Sequence, residues 1–546
     1  MTGERKPKGK WRRILLKVFV GLAVLVGIIH FPVGRVRIEV SPETTVLEGP
    51  LRADGTVDYA AALDRCLSDG VTPENNAAVE IILALGPNSL PEDTGEEVLE
   101  RLGLTYAELK AAGGFFSWRD WCEIHSMAEE QETGGQAARG SLKPGDTTSR
   151  QPPDRHHPDL HGLLPALRKE WPRVWPSPWL VLNERPLDRI VAASRLPRYY
   201  VPVVVHPRDL LLVRARHLRS GDLVEAAVAL LARAEVRYGC GDAAESWEDV
   251  LAAHRLARLV GQCPEIIPQL TAMAIENYAA EEGREMAGRG PGPPALARRI
   301  LGELMALERV GGVETALGGW TRYQNLDTIA AISCGRMDLS EVFSTLGESR
   351  DLDYNTMLRV TNRWYDLAAE AQRKPTYAAR LKASQTVDAE LCDIARDAGR
   401  SSCGNRLAWL RLGGWPFRSA RSEIVARLLL ALAGPSSVQN ASGAVDHVAM
   451  AREIEILAVA LACFHHDNDR WPDELAELCP KYVEAIPPDR FTGKPLIYRP
   501  RADGYLLYSV GRNMNDDGGR LERHGEADDI VAEAGGARGE TRPVSP

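Results

Sequence analysis

Two acidic, glycine-rich stretches near the end of the chain carry the residue types best suited to binding a hard metal ion. The first is residues 511–519, GRNMNDDGG, and the second is residues 525–530, GEADDI. Carboxylate and amide oxygens on such loops are the ligands that Ca²⁺ prefers. A solvated acidic turn has the same composition. The residue types alone therefore do not decide between a calcium site and a solvated acidic turn.

Two histidine-containing groups also have residue types that bind metals. Asp154, His156, His157 and Asp159 lie in a stretch rich in Gly, Pro, Ser and Thr. We expect that stretch to lack the fixed geometry and supporting contacts of a functional metal site. In residues 465–467, HHD, adjacent histidines on a helix would point about 100° apart, so they would not readily hold one ion. We expect a polar helix end there.

Motifs of common enzyme classes are absent from the sequence. We find no GxSxG nucleophile elbow, no P-loop, no strand-linked GxGxxG and no HExxH. The 9 cysteines include no CxxC pair, which argues against a zinc ribbon or a thioredoxin-like site. Cys463 with Cys479, and Cys392 with Cys403, could form disulfides or stay buried thiols. His254 lies on an apolar helix face, and we expect a satisfied core histidine.

The acidic stretches belong to a C-terminal segment, residues 444–531, with a clear order of predicted elements. A helix is predicted from about Val445 to His465, and it ends in the polar exit DNDRWP. Two strands are predicted at 496–498 and 505–510, and the Asp-Gly pair between them is a strong hairpin signal. The segment therefore predicts a small α+β module with a short antiparallel sheet.

This segment resembles the globular half of the major pseudopilins of type II secretion systems. The similarity lies in the long helix, the DNDRWP exit, the DRFTGKPLIY turn and strand, the YLLYSVG strand and the two acidic loop pieces. The resemblance implies a pseudopilin-like α+β fold and a calcium ion held by the C-terminal loop. By position, its ligands would be Asp528 and Asp529, with Asn513 and Asp517 as further candidates.

The membrane segment of a pseudopilin continues directly into this helix and carries a prepilin-peptidase site. Here the apolar stretch 14–33, ILLKVFVGLAVLVGIIHFPV, lies far upstream of residue 444, and no such site is visible in the basic leader, residues 1–13. We therefore do not expect the chain to polymerise as a pilin.

The stretch 14–33 has about the length that a helix needs to cross a bilayer. Basic flanks stay on the cytoplasmic side, so we predict a single-pass protein of the inner (cytoplasmic) membrane with a cytoplasmic N-terminus. The bulk of the chain would then be extracytoplasmic. A cleaved signal peptide shares this pattern, but HFPVGR is a poor small-x-small cleavage site.

Residues 161–440 follow a helical pattern. Asp222 with Glu225, and Asp242 with Glu245, predict capping boxes at the starts of two successive helices. Short connections between such helices favour antiparallel neighbours, which predicts an irregular helical-hairpin domain. The predicted helices span about 222–238, 242–262, 264–278, 295–309, 315–333, 355–373, 376–398 and 417–433.

The other regions have weaker patterns. Val36, Ile38 and Val40 alternate with charged residues, which predicts a strand within a small mixed α/β region at 35–130. Residues 131–160 are predicted to be a flexible linker or an inserted loop. Residues 532–546 are predicted to be a disordered tail. The chain as a whole is predicted to be mainly α.

Charge and motif content together limit the function. The net charge is −9 and the leader is basic, so the remainder is strongly acidic, which argues against a nucleic-acid partner. Long helical stacks without a catalytic motif favour a non-enzymatic scaffold or interaction module of the cell envelope. It would contact the membrane through residues 14–33 and bind a protein partner. The alternative is a periplasmic hydrolase whose dispersed carboxylates meet about 5–9 Å apart across a cleft.

Overall fold

A computed structural model describes residues 37–123, 178–339, 352–399, 418–432, 436–520 and 527–535, apart from 207, 209 and 216. Of the apolar stretch 14–33, only Lys17 and residues 19–21 are described, and they are helical. The leader, most of the predicted anchor and the predicted linker 131–160 therefore lie outside the described residues. Within the described residues, none of the helices combines the length and the apolar character that crossing a bilayer demands.

Helices dominate the described residues, and a three-stranded antiparallel sheet lies near the C-terminus, so the predicted mainly α class with a short C-terminal sheet is confirmed. The strands are β1 (Ile497–Arg501), β2 (Gly504–Ser509) and β3 (Ile530–Ala534). The helices are α1 (Tyr59–Ser68), α2 (Ala77–Leu85), α3 (Gly95–Arg101), α4 (Tyr106–Ala112), α5 (Pro178–Leu182), α6 (Glu184–Ala193), α7 (Ser220–Gly239), α8 (Ala243–Val260), α9 (Ile266–Arg289), α10 (Pro294–Ala306), α11 (Val313–Gly318), α12 (Trp320–Cys334), α13 (Tyr354–Gln372), α14 (Tyr377–Gly399), α15 (Arg418–Leu432) and α16 (Ser436–Asn468).

The helices α7 to α15 lie close to their predicted positions, except that α9 continues to Arg289, well beyond its predicted end at about 278. The caps of α7 and α8 also differ from the prediction. Arg219, not Asp222, is the N-cap residue of α7, and Asp242 precedes α8 without a side-chain capping bond. The two predicted capping boxes are therefore wrong. The helix predicted at 315–333 is divided at Gly319, which ends α11 and begins α12 with an unusual backbone conformation.

The centre of the molecule is formed by α7, α8 and α9, with α16 packed along α9. Trp247, Leu256 and Ile275 are fully buried among these helices. Helix α16 has 33 residues, which corresponds to about 50 Å, and it also contacts α10, α14 and the sheet. The predicted boundary between a domain ending at 440 and a module starting at 444 is wrong, because α16 runs through it without a break.

Residues 37–123 are also part of this body. Val57 and Tyr59 pack with Trp320 of α12 and Met357 of α13 in one core, whereas α2 to α4 pack into the main core with α6. The region predicted as a small mixed α/β unit at 35–130 contains no strand among its described residues. It is distributed over two cores instead of forming one of its own.

Residues 37–40, the described part of the predicted strand, lie alongside helix α13. The Glu39 backbone amide donates to Asn355 Oδ1 at 2.9 Å, and Asn355 Nδ2 donates to the Arg37 carbonyl at 3.2 Å. Ile38 and Val40 pack against the core beside α13. The strand prediction is wrong for the described residues 37–40. Their backbone groups bond to the side chain of Asn355 on α13 and not to a neighbouring strand.

A buried ion pair fixes the N-terminal segment to α12. Arg52 Nη1 lies 2.6 Å from Asp327 Oδ1 and donates at 3.0 Å to the Val57 carbonyl. The other Asp327 oxygen accepts the Leu212 backbone amide at 2.8 Å. Asp327 is completely buried. A single carboxylate therefore joins segments that are far apart in the chain.

The sheet has the order β1–β2–β3, and the predicted Asp503-Gly504 hairpin joins the first two strands, with Arg501 paired to Gly504. Strand β3 continues to Ala534, so the predicted start of the tail at 532 is wrong. Ala532 and Ala534 are buried, but alanine gives only a weak apolar pattern in the sequence. A Cβ atom at Gly288 would overlap the Glu533 carbonyl oxygen, so this glycine allows α9 to approach β3 closely.

Candidate functional site

The acidic C-terminal loop brings the four predicted calcium ligands close together, mainly through backbone amides. The Asp528 carboxylate accepts the amides of Arg512 at 2.9 Å and Asn513 at 3.2 Å. Asp517 Oδ2 accepts the Asn513 side-chain amide at 2.9 Å and the Asp528 backbone amide at 3.3 Å. These hydrogen bonds orient the carboxylates. They also occupy some of the oxygen lone pairs that a calcium ion would need.

Asp529 differs from the other loop carboxylates because it is completely buried. Its Oδ2 accepts the Gly519 amide at 2.7 Å, whereas Oδ1 has no hydrogen-bond partner in the described part of the chain. Burial, and then the charge of Asp517, raise the pKa of Asp529 and of Asp528. Among the described residues, no group of three or more His, Cys, Asp or Glu side chains has the arrangement of a metal site. Calcium binding stays a prediction.

A groove of about 720 Å³ lies between the helical body and the C-terminal module. The start of α11, the start of α14, the middle of α16 and the turn at residues 487–493 form its walls. Its charged lining side chains are Arg309, Glu314, Arg380, Asp446, Glu453, Asp489 and Arg490.

Ion pairs and backbone bonds fix the walls of this groove. Arg380 Nη2 lies 2.5 Å from Asp446 Oδ2, which joins α14 to α16. Arg490 Nε donates to Glu453 at 3.0 Å, which joins the 487–493 turn to α16. Asp489 is buried and accepts the backbone amides of Phe491 at 2.9 Å and Val510 at 3.0 Å. The groove is therefore formed before anything binds in it.

Two opposite charges at the rim of the groove have no such partner. Arg309 and Glu314 are both exposed, and neither forms an ion pair with another of the described residues. Exposed charges of this kind can pair with charges on a binding partner. The carboxylates deeper in the groove, Asp446, Glu453 and Asp489, are instead occupied by arginines or backbone amides. These contacts hold the walls of the groove in place. They do not indicate the pair of catalytic carboxylates that the alternative hydrolase function would require.

A second charged group, the buried charge cluster, consists of His254, Arg258, Glu276, Arg452 and Glu455. His254 Nδ1 lies 2.8 Å from Glu276 Oε2, and Nε2 lies 3.1 Å from Glu455 Oε1. Arg258 donates to both Glu276 oxygens, at 2.7 and 2.9 Å. The cluster joins α8, α9 and α16, and the prediction that His254 is a satisfied core histidine is confirmed.

Within the buried charge cluster, His254 and Glu276 favour the charged form of each other. Burial opposes a charge on His254, but Glu455 and Glu276 outweigh it and raise the pKa of His254 to about 9. Burial also opposes a charge on Glu276, yet His254 and Arg258 hold its pKa far below the ordinary value. Because all of these groups are largely buried, the cluster acts as a structural connection.

The histidines at the end of α16 make local contacts. The His465 ring stacks on Trp471 with centroids 4.3 Å apart, and His466 Nε2 lies 3.1 Å from the Gly292 carbonyl. Asp467 accepts from Lys481 at 2.7 Å and Tyr482 at 2.8 Å. The predicted polar helix end is confirmed. The other histidine group, residues 154–159, lies outside the described residues.

Sequence reasoning missed the groove, because its walls come from segments between residues 309 and 493 that only the fold brings together. The turn that includes Pro487, Pro488 and Arg490 was not predicted to be part of a binding site. A proline pair beside charged residues and a phenylalanine was the available signal, since prolines rigidify binding loops at low entropic cost.

Comparisons with known proteins give no relative: no protein-family model matches the chain, and no curated protein or solved structure matches it significantly. The pseudopilin resemblance of residues 444–531 therefore depends on the quoted residues alone.

Proposed function

We propose that the protein is a non-enzymatic, membrane-anchored interaction protein of the cell envelope, and that its groove binds an extended polypeptide segment of a partner protein. The observation that carries this proposal is the groove itself, with walls fixed by the Arg380–Asp446 and Arg490–Glu453 pairs. Walls that are already in place reduce the entropy lost on binding.

The chemistry of the groove favours a polypeptide. Its volume of about 720 Å³ falls within the roughly 300–1,000 Å³ of ordinary small-molecule pockets, so size alone does not select a polypeptide. Charges of both signs, the proline pair and Phe491 line one continuous surface. Arg309 and Glu314 at the rim would pair with one acidic and one basic side chain of the bound segment.

Membrane attachment through residues 14–33 completes the proposal. The basic leader and the apolar stretch support a single-pass protein of the inner membrane with a cytoplasmic N-terminus and an extracytoplasmic body. The acidic charge of that body supports a protein partner over a nucleic acid. The stacked helices α7 to α9 and the pseudopilin-like module would serve as the frame that holds the groove.

A photocrosslinker placed in the groove tests this function. We expect p-benzoylphenylalanine at Ala378, an exposed lining residue, to crosslink one defined polypeptide in native membranes. The same group at the exposed Tyr106 of α4 should not. Arg309→Glu should reduce the Ala378 crosslink roughly tenfold, because it repels the acidic residue that Arg309 would pair with, at about 1.4 kcal/mol per tenfold.

The matched control is Arg299→Glu on α10, an exposed arginine outside the groove. It should leave the crosslink unchanged. Crosslinking at Ala378 that is no stronger than at Tyr106, or that Arg299→Glu weakens as much as Arg309→Glu, would contradict the proposed function. Mass spectrometry of the captured peptide would show whether it carries the expected acidic and basic residues.

Calcium binding by the acidic loop is a second proposal, favoured by the unpaired buried Oδ1 of Asp529. We expect Ca²⁺ at 100 times its dissociation constant to stabilise the full chain by about 2.7 kcal/mol, measured as a rise in Tm. Replacing Asp528 and Asp529 together by asparagine should abolish the rise. Asp503→Asn, in the exposed hairpin turn, should retain it. An equal Tm with Ca²⁺ and with EDTA in the unsubstituted protein would exclude calcium binding.

A further inference from the structure

A buried glycine on α16 lies where the side chains of two other segments meet. A Cβ atom placed on Gly443 would lie 3.5 Å from Arg512 Cδ, 3.6 Å from Arg512 Nε and 3.7 Å from the Tyr377 hydroxyl. Arg512 belongs to the acidic C-terminal loop, and Tyr377 is the first residue of α14. His447 follows Gly443 by one turn of α16, on the same face of that helix. We call these four residues the donor cluster.

The polar groups of the donor cluster lack other partners. The Arg512 guanidinium and the Tyr377 hydroxyl form no hydrogen bond or ion pair within the part of the chain that the structure describes. His447 Nδ1 is buried and also lacks a hydrogen-bond partner there. Arg512 is exposed, so a ligand can reach the cluster from solvent. Unsatisfied donors that meet at one point are suited to binding an acceptor.

The donor cluster carries one positive charge. Burial, and then the charges of Arg512 and Arg284, lower the pKa of His447 to about 3. The imidazole is therefore neutral near pH 7 and can still donate through its N–H group. The planar Arg512 guanidinium stays charged and matches the two oxygens of a carboxylate. One cation with neutral donors suits a singly charged carboxylate better than a doubly charged phosphate.

The neighbouring carboxylates leave the Arg512 guanidinium available. The charges of Asp528 and Asp446 act on Arg512, but among the described residues neither carboxylate forms an ion pair with its guanidinium. Asp446 pairs with Arg380, and the Asp528 carboxylate accepts the backbone amides of Arg512 and Asn513. The guanidinium can therefore pair with the carboxylate of a ligand.

The donor cluster adjoins the groove. Tyr377 lies between Thr376 and Ala378, which both line the groove. Its ring packs edge-on against the groove residue Phe491, with centroids 5.0 Å apart. A segment that lies in the groove can therefore place a carboxylate at the cluster.

We propose that the donor cluster binds a carboxylate of the polypeptide segment that occupies the groove. The carboxylate accepts two parallel hydrogen bonds from the Arg512 guanidinium, and the Tyr377 hydroxyl and the His447 ring donate one each. The absence of a side chain at Gly443 leaves room for its oxygens. This inference rests on the proposed function, and it adds an anchor for a negative charge beside the start of α14.

Protection of Arg512 from phenylglyoxal, which modifies arginine, tests this site in the full chain. N-acetylglycine provides a terminal carboxylate, and N-acetylisoglutamine provides a side-chain carboxylate. At three times its dissociation constant, a bound probe should slow the modification of Arg512 about fourfold, measured by peptide mass spectrometry. The uncharged N-acetylglycinamide should not protect. The carboxylate that protects better indicates whether the segment contributes its C-terminus or an acidic side chain.

Two variants test the geometry of the donor cluster. Tyr377→Phe keeps the ring but removes one donor, so the probe should bind about two- to tenfold more weakly. Gly443→Ala adds a methyl group at an ordinary contact distance from Arg512 and Tyr377, so the protein should fold but the probe loses its space. Gly302→Ala, at an exposed glycine of α10 with open space around it, should retain protection. Modification of the exposed Arg299 should not be slowed by any probe.

Equal protection by N-acetylglycine and N-acetylglycinamide, stronger protection by inorganic phosphate, or unchanged protection in Gly443→Ala would overturn the carboxylate site. In native membranes, Arg512→Gln should weaken the Ala378 crosslink at least about tenfold, and Arg299→Gln should not. A crosslink that persists at full strength in Arg512→Gln overturns the carboxylate anchor but leaves the groove function in place. Absence of any Ala378 crosslink contradicts the groove function and removes the groove segment as the source of the carboxylate.

Discussion

Replacing Glu276 with glutamine is expected to lower the free energy of unfolding by about 3–5 kcal/mol, the usual cost of removing one partner of a buried ion pair. Glu276 is buried and accepts from His254 and Arg258. The substitution keeps the volume but leaves both cations in the core without this compensating charge. Urea unfolding at pH 6, followed by circular dichroism, measures the change.

The matched control for this prediction is Glu303→Gln on the neighbouring helix α10. Glu303 also pairs with an arginine, Arg255, at 2.8 Å, but it is partly exposed. Pairs near the surface contribute about 0–1 kcal/mol, so we expect a much smaller loss. Equal losses at Glu276 and Glu303 would show that the buried charge cluster has no special role.

The pH dependence gives an independent check on the same cluster. The pKa of His254 is raised to about 9, so its stabilising charge is fully present below the unfolded value of about 6.5 and is lost as the pH rises through 9. The pKa of Glu276 is lowered, so its contribution is present above about 4.5 and is lost as the pH falls. The difference between the unsubstituted protein and Glu276→Gln should therefore be largest between about pH 5 and 6.5.

Replacing Asp327 with asparagine is expected to cost about 3 kcal/mol, the lower end of the range for a buried pair, because Arg52 keeps only the partly exposed Asp58 as a counter-charge, 3.3 Å away. The Arg52 and Asp327 side chains are 7% and 1% exposed. The loss should be greatest where this pair connects residues 52–57 to α12. Hydrogen exchange measured by mass spectrometry should show faster exchange in α1 and the preceding loop.

Asp366→Asn is the control for this second prediction. Asp366 pairs with Arg322 at 2.8 Å, but its side chain is 68% exposed. Its replacement should change the free energy of unfolding by less than about 1 kcal/mol. If exchange in α1 is unaffected by Asp327→Asn, the N-terminal segment does not depend on this ion pair.

The positions of most helices could be predicted because their boundaries are local. Pro294 begins α10, and Gly335 in the left-handed conformation ends α12, and both are reliable signals in sequence. The hairpin between β1 and β2 was equally clear from Asp503-Gly504. In each case neighbouring residues alone determine the structure.

Contacts between distant segments could not be predicted in this way. His217 and Cys263 are 46 residues apart, and Arg52 and Asp327 are 275 apart. Residues 37–40 have the alternation of a strand, but their partner is Asn355 on a helix, so tertiary context overrides the local pattern. The groove is assembled only when such segments pack together.

The long contact between α9 and α16 has a consequence for how the chain is made. Helix α9 ends at Arg289, but α16 begins at Ser436 and β3 ends at Ala534. At about 5–20 residues per second, a ribosome needs on the order of ten seconds or more to deliver these covering segments. Throughout that delay the α9 surface that includes Gly288 lacks the segments that cover it in the folded protein.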